Sequence, residues 1–155
     1  MKSHNSLILV CILLLSVTLF VSCGKEEAEK TTTGQAKLEW LTSYEEALSR
    51  AMKKNIPIMI DFYADWCGYC HKLDSDTYSN AEVVSLAKGF ISLKIDADIE
   101  KAITSRYRIM GLPTIVFIDP KGDELHRVVG YLPPGRFAGE MNRALEAFRN
   151  KTGAR

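Results

Sequence analysis

The chain has no excess of either charge and no run of basic residues. Its 155 residues include 20 Lys and Arg against 19 Asp and Glu, a formal net charge of +1. A nucleic-acid surface needs positive charge concentrated in a patch or stripe, which this sequence does not supply. We therefore expect no nucleic-acid partner.

Metal-binding residues are also scarce. Four cysteines and three histidines are present, and the only Cys-x-x-Cys pair is Cys67 and Cys70. A structural zinc site needs four ligands, and no second Cys-x-x-Cys or His pair is available to complete one. The sequence therefore predicts no bound metal.

No apolar run reaches the length of about 20 residues that a membrane-spanning helix needs. The longest, residues 7–21, is typical of the apolar core of a secretory signal peptide. It ends in FVSCGK, which resembles the lipobox of bacterial lipoproteins, although Phe20 stands where Leu is usual. The resemblance implies that residues 1–22 are a lipoprotein signal peptide and that lipidated Cys23 anchors the chain to a bilayer. An ordinary leader with an incidental cysteine is the alternative.

Cysteine usage is consistent with export. Cys11 would leave with the leader and lipid would cap the new N-terminal cysteine, so Cys67 and Cys70 alone would remain in an oxidising compartment. Residues 23–36 are mostly polar or small, so they cannot bury enough apolar surface to compensate for the entropy lost when a chain becomes ordered. This composition predicts a flexible tether. We expect the folded domain at 37–150.

The pattern beyond the tether predicts helices that alternate with strands and a final hairpin and helix. The predicted strands are 36–40, 57–64, 90–96, 114–119 and 124–130. The predicted helices are 43–54, 67–76, 80–87, 99–110 and a last one that follows Pro133 and Pro134 and reaches at least Phe148. The last two helices are expected to bury Ile99, Ile103, Tyr107 and Met110, and Phe137, Met141, Leu145 and Phe148, respectively. This order indicates an α/β fold with a central mixed sheet flanked by helices.

The spacing of Cys67 and Cys70 fits three chemistries: a redox-active dithiol, half of a zinc site or, because His71 follows, a c-type haem attachment. The pair falls where a predicted strand gives way to a helix. Free N–H groups and the helix dipole at that place lower a thiol pKa, which favours the dithiol. Cys67 is then the exposed nucleophile and Cys70 the resolving thiol, while Gly68 lets a partner's backbone approach closely.

The haem alternative is weaker than the dithiol. CGYCH matches the attachment pattern, but a compact sheet leaves no obvious cavity for the macrocycle. Met110 is the conceivable second axial ligand, yet its spacing places it on the predicted core face of a helix.

Asp61 is the one acid within the apolar stretch PIMIDFYA, six residues before Cys67. Burial there would raise its pKa toward neutrality. Asp61 could then accept or return the proton of Cys70, directly or through water. A structural, hydrogen-bonded acid is the alternative interpretation.

"IDFYADWCGYC" followed by "MGLPT" resembles the thioredoxin superfamily over residues 38–150. "YADWCGYC" and "GLPTIVFIDPKGDE" are most similar to the C-terminal thioredoxin-like domain of the bacterial thiol:disulfide interchange reductase, while the Gly-Tyr dipeptide resembles periplasmic disulfide isomerases. The resemblance implies a thioredoxin-like fold without a bound cofactor. It also implies a cis peptide bond at Pro113, a Leu112 backbone that pairs with the substrate chain, and a substrate surface bordered by Trp66 and Tyr69.

The family often places a lysine beside the strand acid, and the chain departs from that pattern. Ser92 stands at the aligned position, and Lys94 follows two residues later on the same strand face. The alignment therefore leaves open whether Asp61 has a lysine partner.

Together these features predict a membrane-anchored lipoprotein that faces the periplasm or the cell exterior and exchanges electrons with protein disulfides. Its expected partners are disulfide-bearing proteins and a membrane or thioredoxin-type electron donor. Net reduction is favoured because the resemblance is to a reductase. The alternatives are an isomerase or oxidase, and a haem-binding or non-catalytic adaptor protein.

Overall fold

The computed structural model describes residues 38–153, so the predicted signal peptide, the predicted lipidation site at Cys23 and the predicted tether lie outside the described residues. A four-stranded sheet forms the centre, with strand order β2-β1-β3-β4. Its strands are β1 (Ile58–Tyr63), β2 (Ile91–Asp96), β3 (Thr114–Ile118) and β4 (Glu124–Val129). β1 pairs in parallel with β2 and antiparallel with β3, and β3 and β4 form an antiparallel hairpin. The predicted mixed sheet is confirmed.

Five α-helices surround this sheet within the described residues. They are α1 (Tyr44–Lys54), α2 (Gly68–Lys72), α3 (Ala81–Ala87), α4 (Lys101–Arg106) and α5 (Pro134–Thr152). A π-helical turn, Leu73–Thr77, directly continues α2. Ser43 Oγ caps α1 by accepting from the Glu46 N–H at 3.2 Å, whereas the Glu46 side chain pairs with Arg50. In this part of the chain, no helix combines the length and apolar character of a membrane span.

Two hydrophobic cores lie on the two faces of the sheet, because successive strand residues point to opposite sides. On β1, Ile58, Ile60 and Phe62 pack in one core with α1, and Met59 packs in the other with the π-helical turn, α3 and α5. The alternation places Asp61 on the Met59 face. Burial on both faces explains why this strand is almost continuously apolar.

Two sequence predictions about the elements are wrong. Within the described residues, the strand predicted at 36–40 is replaced by a single bridge between Leu41 and Leu93. The helix predicted at 99–110 is only α4, because Arg108 adopts a left-handed conformation (φ 50°) that turns the chain away from the helix axis. Ile99 precedes the start of α4 at Lys101, and Met110 follows the turn at Arg108. The two side chains are 74% and 95% exposed, respectively, so Met110 is not on a core face.

The other predicted elements are confirmed within a few residues, including the hairpin and the final helix. Phe137, Met141 and Phe148 are buried on α5, and Leu145 packs at the margin of the same core. The sheet and its two cores thus hold the end of β1 and the start of α2 in a fixed relation.

Candidate active site

Cys67 and Cys70 form a disulfide with their Cα atoms 5.2 Å apart. Cys67 is the N-cap of α2, and its Sγ accepts a hydrogen bond from the Cys70 N–H at 3.2 Å. The pair lies where β1 leads into α2, as predicted. The first-turn N–H groups favour negative charge on the cap sulfur when the bond is reduced.

The expectation of an exposed Cys67 is wrong for this disulfide-bonded form. Cys67 is 4% exposed and Cys70 2%, because both pack in a small cluster with Ala64, Tyr63 and Leu112. The neighbouring side chains provide the accessible surface instead.

The rim of the disulfide is aromatic and open. Trp66 and Tyr69 are 73% and 65% exposed, and a Cβ built on Gly68 would meet no atom within 4 Å. Trp66 Nε1 donates to Asp98 Oδ2 at 2.7 Å, which lowers the pKa of that carboxyl. Tyr69 stacks on Tyr131 with ring centroids 6.3 Å apart. The accessible surface beside the disulfide is therefore largely aromatic.

The Leu112–Pro113 peptide bond is cis, as the family resemblance implied. Leu112 packs against the cysteine cluster, and Pro113 is buried with its carbonyl accepting from the Gly130 N–H at 2.8 Å. The structure thus brings Leu112 beside the disulfide.

Asp61 is a buried acid, 1% exposed, and neither carboxyl oxygen has a hydrogen-bond partner within the described part of the chain. Burial raises its pKa from 3.8 to about 7, and the positive charge of Lys94 limits that rise. Asp61 can therefore take up or release a proton near neutral pH.

A lysine does stand beside the acid, a point that the family alignment left open. Lys94 lies opposite Asp61 in the β1–β2 register, and its Nζ is 3.6 Å from Asp61 Oδ2. The same ammonium binds both carboxylate oxygens of Asp74, at 2.6 and 2.8 Å. The sequence did contain a sign of this pairing, because Lys94 lies on the same strand face as Ser92. Ser92 itself occupies the position at which the family has its lysine.

Sequence reasoning also missed Tyr78, a buried residue whose ring lies beside Lys94, the neighbour of Asp61. His71 is exposed, and its Nε2 donates to the Asp65 carbonyl at 2.7 Å. Among residues 38–153, no group of three or more His, Cys, Asp or Glu side chains is arranged to hold a metal ion.

The chain is similar in sequence to known thioredoxin-like proteins. A family model described as a thioredoxin-like domain matches residues 44–145. The thiol:disulfide interchange protein DsbD of Cronobacter sakazakii is 35% identical over 101 residues, which are 61% of this chain and 18% of that protein. The chloroplastic thioredoxin-like protein HCF164 of Oryza sativa subsp. japonica is 34% identical over 96 residues, 62% of this chain and 35% of that protein. The chain spans about a fifth of the length of the DsbD proteins it matches.

Solved structures share the fold. A thioredoxin from Thermus thermophilus has a TM-score of 0.66 at 27% identity, covering 76% of this chain and 95% of that one. The oxidised C-terminal domain of Neisseria meningitidis DsbD has a TM-score of 0.58 at 21% identity, covering 68% and 99%, respectively. At that identity the second match shows the fold alone.

Proposed function

The chain belongs to the family of thioredoxin-like domains, and on that premise we propose that it is a thiol:disulfide oxidoreductase that reduces protein disulfides through Cys67 and Cys70. The observation that carries the proposal is the Cys67–Cys70 disulfide at the start of α2, with exposed aromatic rings around it and a buried acid on the preceding strand. No bound cofactor is needed, because the two sulfurs hold the electrons that are transferred.

The exchange begins with the reduced pair. The Cys67 thiolate attacks one sulfur of the partner's disulfide, and the other partner sulfur leaves as a thiolate. Cys70 then loses its proton and attacks the Cys67 sulfur. This step forms the Cys67–Cys70 disulfide and releases the second partner sulfur as a thiolate. The partner gains two electrons and the pair loses two.

Asp61 is the proposed acceptor of the Cys70 proton, directly or through one water. Its carboxyl is buried on β1, and with a pKa of about 7 it holds a proton half the time at neutral pH. A group with such a pKa gives and takes protons at neutral pH with little free-energy cost.

The proposed substrate surface consists of Trp66, Gly68, Tyr69, Leu112 and Pro113. The two aromatic side chains are exposed and Gly68 borders open space, so a partner chain can approach the disulfide closely. The Leu112 N–H and C=O make no backbone hydrogen bond within the described residues, which leaves them free to pair with an extended partner segment.

Reduction and an extracytoplasmic location are part of the proposal. Several relatives are named thiol:disulfide interchange protein, and the leader-like run at 7–21 followed by Cys23 supports export and lipid anchoring. In this proposal, residues 1–22 are removed, 23–36 are the tether and 37–150 are the catalytic domain. A membrane or thioredoxin-type donor restores the dithiol.

We expect Cys70→Ser to trap partners covalently. Without the resolving thiol, the mixed disulfide on Cys67 persists, so non-reducing gels will show adducts that a reductant dissolves. The matched control is the Cys67→Ser/Cys70→Ser double variant, which should form none. If both variants gave the same adducts, Cys67 would not be the attacking sulfur.

A further inference from the structure

Three buried oxygen atoms have no hydrogen-bond partner in the described residues. They are Oδ1 and Oδ2 of Asp61 and the hydroxyl oxygen of Tyr78. Buried polar atoms are nearly always paired, because an unpaired one destabilises the fold. Asp61 and Tyr78 both neighbour the Lys94 ammonium, so the carboxyl and the phenol can serve as partners for one another.

The ring of Tyr78 is held firmly in this position. Tyr78 is 3% exposed, and its ring packs edge-on against Trp40 and Phe137, with centroids 5.0 and 5.6 Å away. The Lys94 Nζ lies 5.9 Å from the Tyr78 ring centroid and 3.6 Å from Asp61 Oδ2. The ammonium is therefore a common neighbour of Tyr78 and Asp61.

Three elements contribute the charged groups that meet at Lys94. β1 contributes Asp61, β2 contributes Lys94, and the π-helical turn contributes Asp74, which binds Lys94. Burial, followed by the negative charge of Asp61, raises the pKa of Tyr78 well above its usual value. The phenol therefore keeps its proton throughout the range in which Asp61 titrates.

The two polar neighbours of Asp61 differ in what they can do. The Lys94 ammonium only donates hydrogen bonds, so it favours the ionised carboxylate. A tyrosine hydroxyl both donates and accepts, so it can pair with the carboxylate and with the carboxylic acid, and its bond to the charged carboxylate is the stronger of the two. The structure shows no hydrogen bond between the two groups. Once a small side-chain movement brings them within hydrogen-bond distance, rotation of the O–H bond lets the phenol follow the proton.

We propose that Tyr78 is a positioning residue for the Asp61 proton: its hydroxyl donates to the carboxylate and turns to accept from the carboxylic acid. The inference rests on the proposed role of Asp61 as the acceptor of the Cys70 proton. Tyr78 is then the residue that gives the Asp61 carboxyl a hydrogen-bond partner in both its ionised and its protonated form.

The test titrates the Asp61 carboxyl carbon by ¹³C NMR in the full-length, disulfide-bonded chain, with Asp61→Asn used to assign its signal. In Tyr78→Phe the carboxylate loses a donor while the ring and its packing remain. We expect the titration midpoint to rise by about one pH unit, a roughly tenfold increase in proton affinity. The matched control is Tyr44→Phe, whose buried hydroxyl contacts Tyr107 in the other core, and its midpoint should stay at the wild-type value.

A second variant covers the case in which Tyr78→Phe does not fold. Site-specific 3-fluorotyrosine at position 78 is a stronger donor of nearly the same size, and it should lower the midpoint. An unchanged or opposite shift in either folded variant overturns the role of Tyr78. The NMR titration does not require the chain to be catalytically active. The proposed function would be contradicted by a different result, namely the absence of disulfide exchange in the wild-type chain.

Discussion

A chain with Cys67→Ser will not reduce a protein disulfide. Serine at this position cannot form a thiolate, and no other described thiol occupies the start of α2. We expect the rate of disulfide reduction to fall on the order of 10³-fold or more, because loss of the nucleophile removes the first covalent step. The measurement is reduction of a model disulfide protein by the pre-reduced chain, followed by thiol release.

Cys11→Ser is the matched cysteine control, since it removes a thiol that the proposed leader carries. It should reduce the model disulfide at the wild-type rate. Turnover that persisted in Cys67→Ser would contradict the dithiol mechanism. A partner that stayed bound to Cys67→Ser without covalent exchange would favour a non-catalytic adaptor instead.

The second large effect concerns stability and pH. The pKa of Asp61 is 3.8 ordinarily and about 7 in the fold, so the native state binds more protons than the unfolded state between these values. Below pH 4, protonated Asp61 does not lower the free energy of unfolding. As pH rises from 4 toward 7, the free energy of unfolding falls, because the buried carboxyl resists ionisation. Each pH unit corresponds to about 1.4 kcal/mol, so the loss amounts to about 4 kcal/mol by pH 8.

Asp61→Asn isolates this contribution because asparagine does not titrate. We expect the difference in unfolding free energy, variant minus wild type, to grow by about 4 kcal/mol from pH 4 to pH 8. Urea denaturation of the disulfide-bonded chains at each pH measures it. Surface acids with a lowered pKa, such as Asp76, make the free energy of unfolding rise with pH. Their contribution is the same in both chains, so the subtraction removes it. A difference that is constant with pH would mean that Asp61 ionises normally.

The sheet and the disulfide could be predicted from sequence because their signals are local. The apolar run of β1 and the turn chemistry of the β3–β4 hairpin each determine one element without reference to distant residues. The position of Cys67 followed from the change of pattern between strand and helix. Its burial did not, because that depends on packing against Leu112 from another part of the chain.

The surroundings of Asp61 could not be predicted in the same way. Lys94 reaches the acid through the β1–β2 register, which depends on the whole sheet and not on the spacing within either strand. Tyr78 follows a π-helical turn, and the extra residue of such a turn rotates every later side chain about the helix axis. The helical periodicity that predicted 67–76 contains no sign of that rotation.

The exposed Met110 illustrates a third kind of failure. Ile103, Tyr107 and Met110 have helical spacing, but the left-handed Arg108 ends that periodicity before Met110 is reached. Non-glycine residues seldom adopt this conformation, and a single sequence gives little warning of it.

The dithiol mechanism is tested most directly by a redox titration of the full-length chain against a thiol buffer, with the Cys67–Cys70 state read by thiol alkylation. We predict one two-electron couple near the thioredoxin value of about −270 mV, which suits net reduction of protein disulfides. A couple near −120 to −180 mV would contradict the reductase direction and favour an oxidase or isomerase. If no two-electron couple appeared, Cys67 and Cys70 would not be a pair that exchanges electrons with protein disulfides.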